Sequence, residues 1–193
     1  IGLYTDLSAY FEQKEQLAAI THYDPVTELP NRVLLSDRLE QALRRSDRGG
    51  TAVAVLFLDL DGFKAVNDRY GTERGDAALK AVAVALRAEL REYDTLARFG
   101  GDEFVVVLPE LVDSADAGLT ANRLLEAVQR PITIEGDTLH LTVSIGVTLY
   151  PSDRGDAEQL IRHASQAMYE AKHLPDLASQ LYDPRQQQLF EEL

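Results

Sequence analysis

Two pairs of carboxylates stand at points where predicted strands end. Asp59 and Asp61 follow an apolar run at 52–58, and Asp102 and Glu103 form the tip of a predicted hairpin. If the hairpin pairs beside the apolar strand, its carboxylates converge near Asp59. Oxygen ligands without cysteine or histidine suit Mg²⁺, which commonly takes substrate phosphates as further ligands. The residues alone predict a magnesium-dependent site for phosphoryl or nucleotidyl transfer, and an ordinary turn with a solvated strand end is the alternative.

Glycines and a lysine accompany these acidic pairs. Gly100 and Gly101 precede the hairpin tip, where glycine opens backbone angles that other residues avoid and allows close approach to the main chain. Gly62, Phe63 and Lys64 follow the first pair. There the amides of a bending chain can meet phosphate oxygens, and Lys64 adds a point charge.

The elements that must position these residues follow from hydrophobic periodicity. The run at 52–58 is continuously apolar and rich in β-branched residues, which is typical of a strand buried on both faces. Together the elements predict an α+β sandwich, with helices flanking a central, mostly antiparallel sheet. The expected helices are 33–45, 76–90, 114–129 and 157–172, a polar loop is expected at 46–51, and hairpins are expected from 95–99 with 104–108 and from 132–134 with 139–150.

The two ends of the chain differ from its middle. Residues 1–22 have near-heptad apolar spacing, which favours either an end helix on its own domain or a signalling helix that pairs two copies. Residues 23–173 form the expected domain, and 174–193 are polar and read as a linker toward a following domain. Because the chain begins with Ile1 rather than methionine, we interpret it as a piece of a longer protein.

Composition excludes several classes of function. The 193 residues include no cysteine, so disulfides and thiolate metal sites are excluded. A formal charge of -13 without a basic stripe argues against nucleic-acid binding. No apolar run reaches the roughly 20 residues that a transmembrane helix needs. We therefore expect a cytoplasmic domain, whose parent protein can still carry a membrane anchor.

Several motifs resemble one family in order along the chain. Arg98–Phe104 (RFGGDEF) carries the name motif of the GGDEF family, the diguanylate cyclases. The resemblance covers about residues 22–173, and several ordered motifs make chance agreement improbable. The further matching segments are Asp24–Arg32 (DPVTELPNR), Asp59–Asp68 (DLDGFKAVND), Gly75–Asp76, Val143–Val147 (VSIGV) and Ala167–Lys172 (AMYEAK).

The resemblance implies a fold similar to the polymerase palm and to class III nucleotide cyclases. It also implies that Asp59, the Leu60 carbonyl and Asp102 hold Mg²⁺ (or Mn²⁺). Glu103 would ligate metal or activate the attacking 3′-hydroxyl, so that Glu103, Asp102 and Lys64 form the catalytic set. The substrate-binding residues implied by the family are Asn67 and Asp76 for guanine and Gly62, Phe63, Lys64 and Lys172 for the phosphates.

The reaction implied by the family needs two such domains facing each other, each holding one GTP. Each 3′-hydroxyl attacks the other α-phosphorus, which releases two pyrophosphates and yields cyclic di-GMP. The segment from Arg91 to Asp94 resembles the family's inhibitory product site, where an arginine fork binds cyclic di-GMP. The alternative interpretation of that segment is a surface helix end with an ordinary ion pair.

Three positions depart from the family's usual residues. Histidine is usual at Thr72, aspartate at Ser165, and an arginine often follows Lys172 where this chain has Asp176. A carboxylate facing the triphosphate would weaken GTP binding. The stretch Leu181–Pro184 resembles the joint to an EAL phosphodiesterase domain, and sensor domains are expected in the parent. A silent regulatory module that binds GTP or cyclic di-GMP and controls that neighbour is therefore the rival function.

Overall fold

The longest apolar run of the chain forms the central strand of a five-stranded sheet. The computed structural model describes residues 21–173 and 179–181. The described helices are α1 (Arg32–Gly49), α2 (Phe63–Tyr70), α3 (Thr72–Ala88), α4 (Ala115–Gln129) and α5 (Ala157–His173). The described strands are β1 (Ala52–Leu60), β2 (Thr95–Gly100), β3 (Glu103–Leu111), β4 (Ile132–Ile134), β5 (Asp137–Leu139), β6 (Val143–Tyr150) and β7 (Ser179–Leu181).

The main sheet has the strand order β2-β3-β1-β6-β7. The contacts of β1 with β3 and β6, and of β2 with β3, are antiparallel, whereas β7 pairs parallel to β6. Helices cover both faces of this sheet. The predicted α+β class, with a mostly antiparallel palm-like sheet, is therefore confirmed.

Alternate residues of β1 enter two separate cores. On one face, Leu56 and Leu58 pack in a cluster with Leu79 and Val82 of α3 and with Leu124 of α4. On the other face the cluster joins strand residues to α1 and α5: Val53, Val55, Phe57, Leu35, Leu39, Leu160 and Ala164. A strand between two layers of helices must be apolar at every position, which explains the unbroken run.

Two local predictions differ from the structure. The expected polar loop at 46–51 is wrong, because α1 continues to Gly49 and the N–H of Gly50 closes the helix on the Ser46 carbonyl at 2.8 Å. Ser46 is buried, and its hydroxyl donates to the Thr51 carbonyl. The short helix α2 was not anticipated either. It is only 8 residues long and begins after Gly62 without a side-chain cap, so it lacks the usual start signal.

The predicted hairpin of 132–134 with 139–150 is confirmed only where Ile132 pairs with Leu139, and it is wrong for the rest of the second strand. Strand β4 pairs with Asp137–Leu139, whereas Val143–Tyr150 pairs with β1 in the main sheet. The alternating apolar residues that suggested one long strand suit either pairing, because alternation specifies a buried face and not a partner. The segment between Leu139 and Val143 separates the two sheets.

The ends of the chain remain largely outside the described residues. This holds for the predicted helix at 1–22, apart from its last two residues, for Asp176, and for the linker at 174–193, apart from 179–181. Ser179–Leu181 forms β7 at the sheet edge, where a polar linker was expected. Across 21–173 and 179–181, every helix is too short or too polar to cross a lipid bilayer.

Candidate active site at the acidic edge of the sheet

Strand pairing brings the predicted carboxylates to one end of the sheet. Asp59 lies directly opposite Glu103 in the β1–β3 register. The N–H of Leu60 donates to the carbonyl of Asp102 at 3.2 Å, which ties the hairpin tip to the end of β1. Asp59, Asp102 and Glu103 are called the acidic edge below. The expectation that the hairpin pairs beside the apolar strand is confirmed.

The hairpin turn is held from outside by one arginine. Gly101 has a φ of 47°, a left-handed conformation that favours glycine. Its carbonyl accepts from Nε and Nη2 of Arg98 at 3.0 and 2.8 Å. Nη1 of Arg98 donates to both carboxylate oxygens of Asp24 at 3.1 Å. The turn therefore depends on a residue far away in the sequence.

Asp24 organises its own turn as well. Its carboxylate accepts from the amide and the hydroxyl of Thr27, both at 2.7 Å. The side chains of Arg98 and Asp24 are only 13% and 16% exposed, so this ion pair is shielded from solvent. Burial by itself raises the pKa of Asp24, but the hydrogen bonds from Thr27 and Arg98 outweigh it and leave that pKa below its ordinary value.

The acidic edge carries an excess of negative charge. Burial, followed by the nearby charge of Asp59, raises the pKa of Asp102 above its usual value. Burial also raises the pKa of Glu103, with added repulsion from Asp59 and Asp102. Arg32 and Lys172 oppose the shift at Glu103 without cancelling it. The arrangement therefore favours binding of a proton or a cation.

Lys172 reaches the acidic edge from the last turn of α5. Its ammonium donates to Oδ1 of Asp59. Burial lowers the pKa of Lys172, but the hydrogen bond and charge of Asp59 outweigh burial and raise it. Helix α5 can lie this close because Gly146 of β6 has no side chain. A Cβ there would stand 2.0 Å from the Ala164 carbonyl and 2.1 Å from the Met168 nitrogen.

Asp61 has a structural role that the sequence did not indicate. Its two carboxylate oxygens each accept a hydroxyl, from Thr142 and from Ser144, both at 2.8 Å. These bonds fasten the segment after β1 to the start of β6. Of the two predicted acidic residues, Asp59 on β1 lies opposite Glu103, whereas Asp61, just after β1, is held by hydroxyl groups.

Helices α2 and α3 carry the predicted nucleotide-binding residues. Gly62 lies before the first turn of α2, Phe63 is buried, and Lys64 is exposed. The N-cap residue Gly62 has no side chain with which to cap the helix, so it leaves the first amides available to another acceptor. Asn67 and Asp76 are both half-buried, on either side of the single connecting residue Gly71.

The carboxylate oxygens of the acidic edge supply some of the ligands that a hard cation such as Mg²⁺ needs. Among the residues that the structure describes, no group of three or more His, Cys, Asp or Glu side chains is arranged to hold a metal ion. Magnesium sites that also bind a nucleotide commonly use only one or two carboxylates, with phosphates and waters as the other ligands. The carboxylates of Asp59 and Asp102, which carry excess negative charge close to the end of β1, fit that pattern.

The segment from Arg91 to Asp94, called the arginine turn below, lies between α3 and β2. The buried carboxylate of Asp94 accepts from the Arg91 amide at 2.7 Å. Arg87 donates to the carbonyls of Asp94, Arg91 and Glu92 at 2.9, 3.1 and 3.2 Å. The side chain of Arg91 stays 54% exposed, and its guanidinium lies 4.0 Å from the Asp116 carboxylate. The turn is therefore internally braced while its guanidinium remains accessible.

Comparison with known protein families shows to which family this chain belongs. The family model described as "Diguanylate cyclase, GGDEF domain" matches residues 21–176. The chain belongs to the GGDEF domain family.

Three relatives from Pseudomonas aeruginosa show how far the likeness extends. The chain is 46% identical over 157 residues to MucR, named a bifunctional diguanylate cyclase/cyclic di-GMP phosphodiesterase. It is 41% identical over 162 residues to diguanylate cyclase TpbB and 40% identical over 156 residues to cyclic di-GMP phosphodiesterase NbdA. The matches cover 81%, 83% and 81% of this chain but only 23%, 37% and 20% of those proteins.

A solved structure supports the same fold. The GGDEF domain of TpbB superposes with a TM-score of 0.83 at 38% identity, covering 88% of this chain and 99% of that one. The GGDEF domain is therefore the part shared with each relative, whereas the remainder of each relative lies beyond the match.

Several contacts of this GGDEF domain escaped the sequence analysis. The ion pair of Asp24 with Arg98 joins two of the family motifs. Nothing in the sequence indicated that these two motifs contact each other, apart from their presence in the same family pattern. Arg32, in the first turn of α1, stacks on Phe99 with 3.9 Å from the guanidinium carbon to the ring centroid and influences Glu103 electrostatically. Arg87 gave no signal, because a single arginine on a helix surface is common.

Two departures from the family pattern fall on described residues. Thr72 is exposed at the start of α3, and Ser165 is half-buried on α5.

A cleft of about 330 Å³ adjoins the arginine turn and is lined by Arg38 and Arg45 of α1. A second cleft of about 580 Å³ lies between the Asp24 turn and α3. No residue of the acidic edge lines the second cleft, so its size does not make it the candidate active site.

Proposed function

We propose that this GGDEF domain is a diguanylate cyclase, which condenses two molecules of GTP into cyclic di-GMP. In each half-reaction a 3′-hydroxyl forms a bond to the α-phosphorus of the other GTP, the bond to the pyrophosphate breaks, and the hydroxyl proton leaves to a base. Two copies of the domain have to face each other, because each holds one nucleotide. The observation that carries the proposal is the β1–β3 register, with Asp59 opposite Glu103.

Asp59, Asp102 and the Leu60 carbonyl would hold Mg²⁺ or Mn²⁺ at the end of β1. A bound divalent ion supplies charge neutralisation for the phosphates and orients them. The raised pKa values of Asp102 and Glu103 support this assignment, since uncompensated carboxylates favour cation binding. Lys172 now pairs with Asp59, and its ammonium would turn to the phosphates once a cation takes over the carboxylate.

Glu103 is the residue of this site best suited to accept the proton of the 3′-hydroxyl. A base works best when its pKa is close to the working pH, and burial with two neighbouring carboxylates shifts Glu103 in that direction. The uncapped start of α2, with the Gly62 and Phe63 amides, would bind phosphate oxygens together with Lys64. Asn67 and Asp76 would pair with guanine, because an amide and a carboxylate match its acceptors and donors.

The arginine turn is included in the proposal as the binding site for the product. Arg91 offers an exposed guanidinium, and the buried carboxylate of Asp94 holds the Arg91 amide and lies close to the charges of Arg87 and Arg123. The adjoining cleft of about 330 Å³ gives a planar ligand room beside the turn. Arg123 was not anticipated from the sequence, and its charge beside Asp94 adds it to this site.

The test of the cyclase proposal uses the chain fused to a dimerising coiled coil. Incubation with GTP and Mg²⁺, followed by chromatography, should yield cyclic di-GMP and pyrophosphate in a ratio of one to two. Glu103→Gln should bind GTP and form no product. Clear GTP binding by the wild type without product at high protein concentration would contradict the cyclase.

The second candidate function is a regulatory module without turnover. Two observations favour it: Lys172 closes on Asp59, and the chain is 40% identical to NbdA, which is named a phosphodiesterase. In that case GTP or cyclic di-GMP bound to the domain controls a neighbouring EAL domain. The proposal in either form implies a cytoplasmic domain, because GTP is available there. Stimulation of a fused phosphodiesterase by GTP, without cyclase product, would support the module.

A further inference from the structure

A buried glycine lies against the amide predicted to bind guanine. Gly75 occupies the first turns of α3, and Asn67 lies in the last turns of α2. An ideal Cβ built on Gly75 would stand 1.8 Å from Oδ1 and 3.0 Å from Cγ of Asn67. The Asn67 carboxamide therefore occupies the volume that any other residue at position 75 would fill with its side chain.

The backbone itself does not require glycine at this position. Gly75 is absent from the residues with positive φ, and its N–H donates to the Gly71 carbonyl at 3.1 Å, as in an ordinary helix start. Glycine in a helix is less favourable than alanine. The main chain does not need glycine here, and glycine weakens the helix. The absence of a side chain at position 75 therefore indicates that a neighbouring group, the Asn67 carboxamide, needs the space.

We propose that Gly75 is a specificity-determining position: its missing side chain holds the Asn67 amide in the orientation that distinguishes guanine from other bases. This inference rests on the proposed guanine site. An amide N–H held toward guanine O6 meets an acceptor, whereas adenine carries an N–H2 donor at that position, which repels it. The Asp76 carboxylate accepts from the N1–H and N2–H2 groups of guanine. If Asn67 is displaced, the O6 contact is lost, and part of the preference for GTP over ATP is lost with it.

The first measurement compares affinities for magnesium complexes of GTP and ATP analogues that carry a methylene bridge between the α- and β-phosphorus. The bridge prevents turnover, so calorimetry reports binding alone. Gly75→Ala should reduce the GTP-to-ATP affinity ratio at least about fivefold, the size of one weak base contact. Gly118→Ala is the matched control. Gly118 is an exposed helical glycine in α4, and a Cβ there would meet nothing within 4 Å.

A double-mutant cycle separates the positioning role from a general effect on folding. In Asn67→Ala the displaced group is already gone, so adding Gly75→Ala should leave the nucleotide preference unchanged. The added alanine should then raise the thermal midpoint, because the helix gains a better former without a clash. An equal further loss of GTP preference in the double variant would overturn the inference, since Gly75 would then act independently of Asn67.

The possible failures can be told apart. A wild-type chain that binds GTP and ATP equally would contradict the guanine site itself. A wild-type chain that prefers GTP, together with a Gly75→Ala variant of unchanged preference, would contradict only the role of Gly75.

Discussion

The acidic edge and the arginine turn are built in opposite ways. At the acidic edge the residues come from separate strands, and Asp59 meets Glu103 only because β1 and β3 pair. In the arginine turn the contacts stay local, since Asp94 binds the Arg91 amide and Arg87 binds the carbonyls of the same short segment. The register of the sheet therefore sets the positions of the residues at the acidic edge, whereas contacts within one short segment and the side chain of Arg87 set the shape of the arginine turn.

Their charges also differ. At the acidic edge burial raises the pKa values of Asp102 and Glu103, and repulsion from the neighbouring carboxylates raises them further. Burial likewise raises the pKa of Asp94, but there Arg91, Arg87 and Arg123 act against the shift. The acidic edge is thus arranged to bind a cation, whereas the negative charge in the arginine turn is opposed by neighbouring arginines. Residues poised for a ligand commonly reduce stability in its absence.

The largest expected effect tests whether the two regions are independent. Glu103→Gln should reduce the initial rate of cyclic di-GMP synthesis at least about a hundredfold, the size of a lost general base, and should leave cyclic di-GMP binding intact. Arg91→Ala should do the reverse, with weaker product binding and an unchanged initial rate. Rates come from chromatography and affinities from calorimetry. Loss of both properties in either variant would show that the regions are coupled.

A smaller effect is expected when the brace of the arginine turn is removed. Arg87→Met keeps the apolar part of the side chain but loses its hydrogen bonds to three carbonyls. The dissociation constant for cyclic di-GMP should rise about tenfold, because partly exposed charged hydrogen bonds contribute on the order of 1.4 kcal/mol. Lys80→Met, which removes a charge from the same helix, should have no such effect. Unchanged affinity in Arg87→Met would refute the bracing role.

Removal of the ion pair between Asp24 and Arg98 should have a smaller effect, which is measured as a loss of stability. Asp24→Asn should lower the thermal midpoint at neutral pH by about 2–4 °C, because the charge that binds Arg98 is lost. Since the pKa of Asp24 is lowered in the folded state, its contribution exists above the ordinary carboxyl pKa and disappears as the pH falls through the lowered value. The difference between wild type and variant should therefore shrink in acid. A constant difference would contradict this origin.

The smallest expected effect has the opposite sign. In metal-free protein, Glu103→Gln should raise the thermal midpoint by about 1–2 °C, because an unfavourable, half-buried charge is removed. The pKa of Glu103 is raised in the folded state, so the wild type loses stability as the pH rises from the ordinary carboxyl pKa through the raised value. The advantage of the variant should vanish below about pH 4. Added Mg²⁺ should stabilise the wild type more than the variant.

Much of this GGDEF domain could be predicted from local patterns. The apolar run of β1 predicted a strand covered on both faces, and the glycines before Asp102 predicted the hairpin turn. The pattern failed where the pairing partner was ambiguous, as for 139–150, which divides between β5 and the central sheet. It also failed for α2, a helix too short and too weakly capped to be distinguished from a loop.

The sequence by itself determined the residue types at the candidate site, because the order of oxygen donors, glycines and lysines is written along the chain. Only the tertiary structure decided which of them meet. Asp61 accepts the hydroxyls of Thr142 and Ser144, Lys172 reaches Asp59 from α5, which packs closely on Gly146, and Asp24 holds Arg98. The physical reason is range: periodicity reports the face that a residue buries, whereas contacts between distant segments depend on packing of the whole fold.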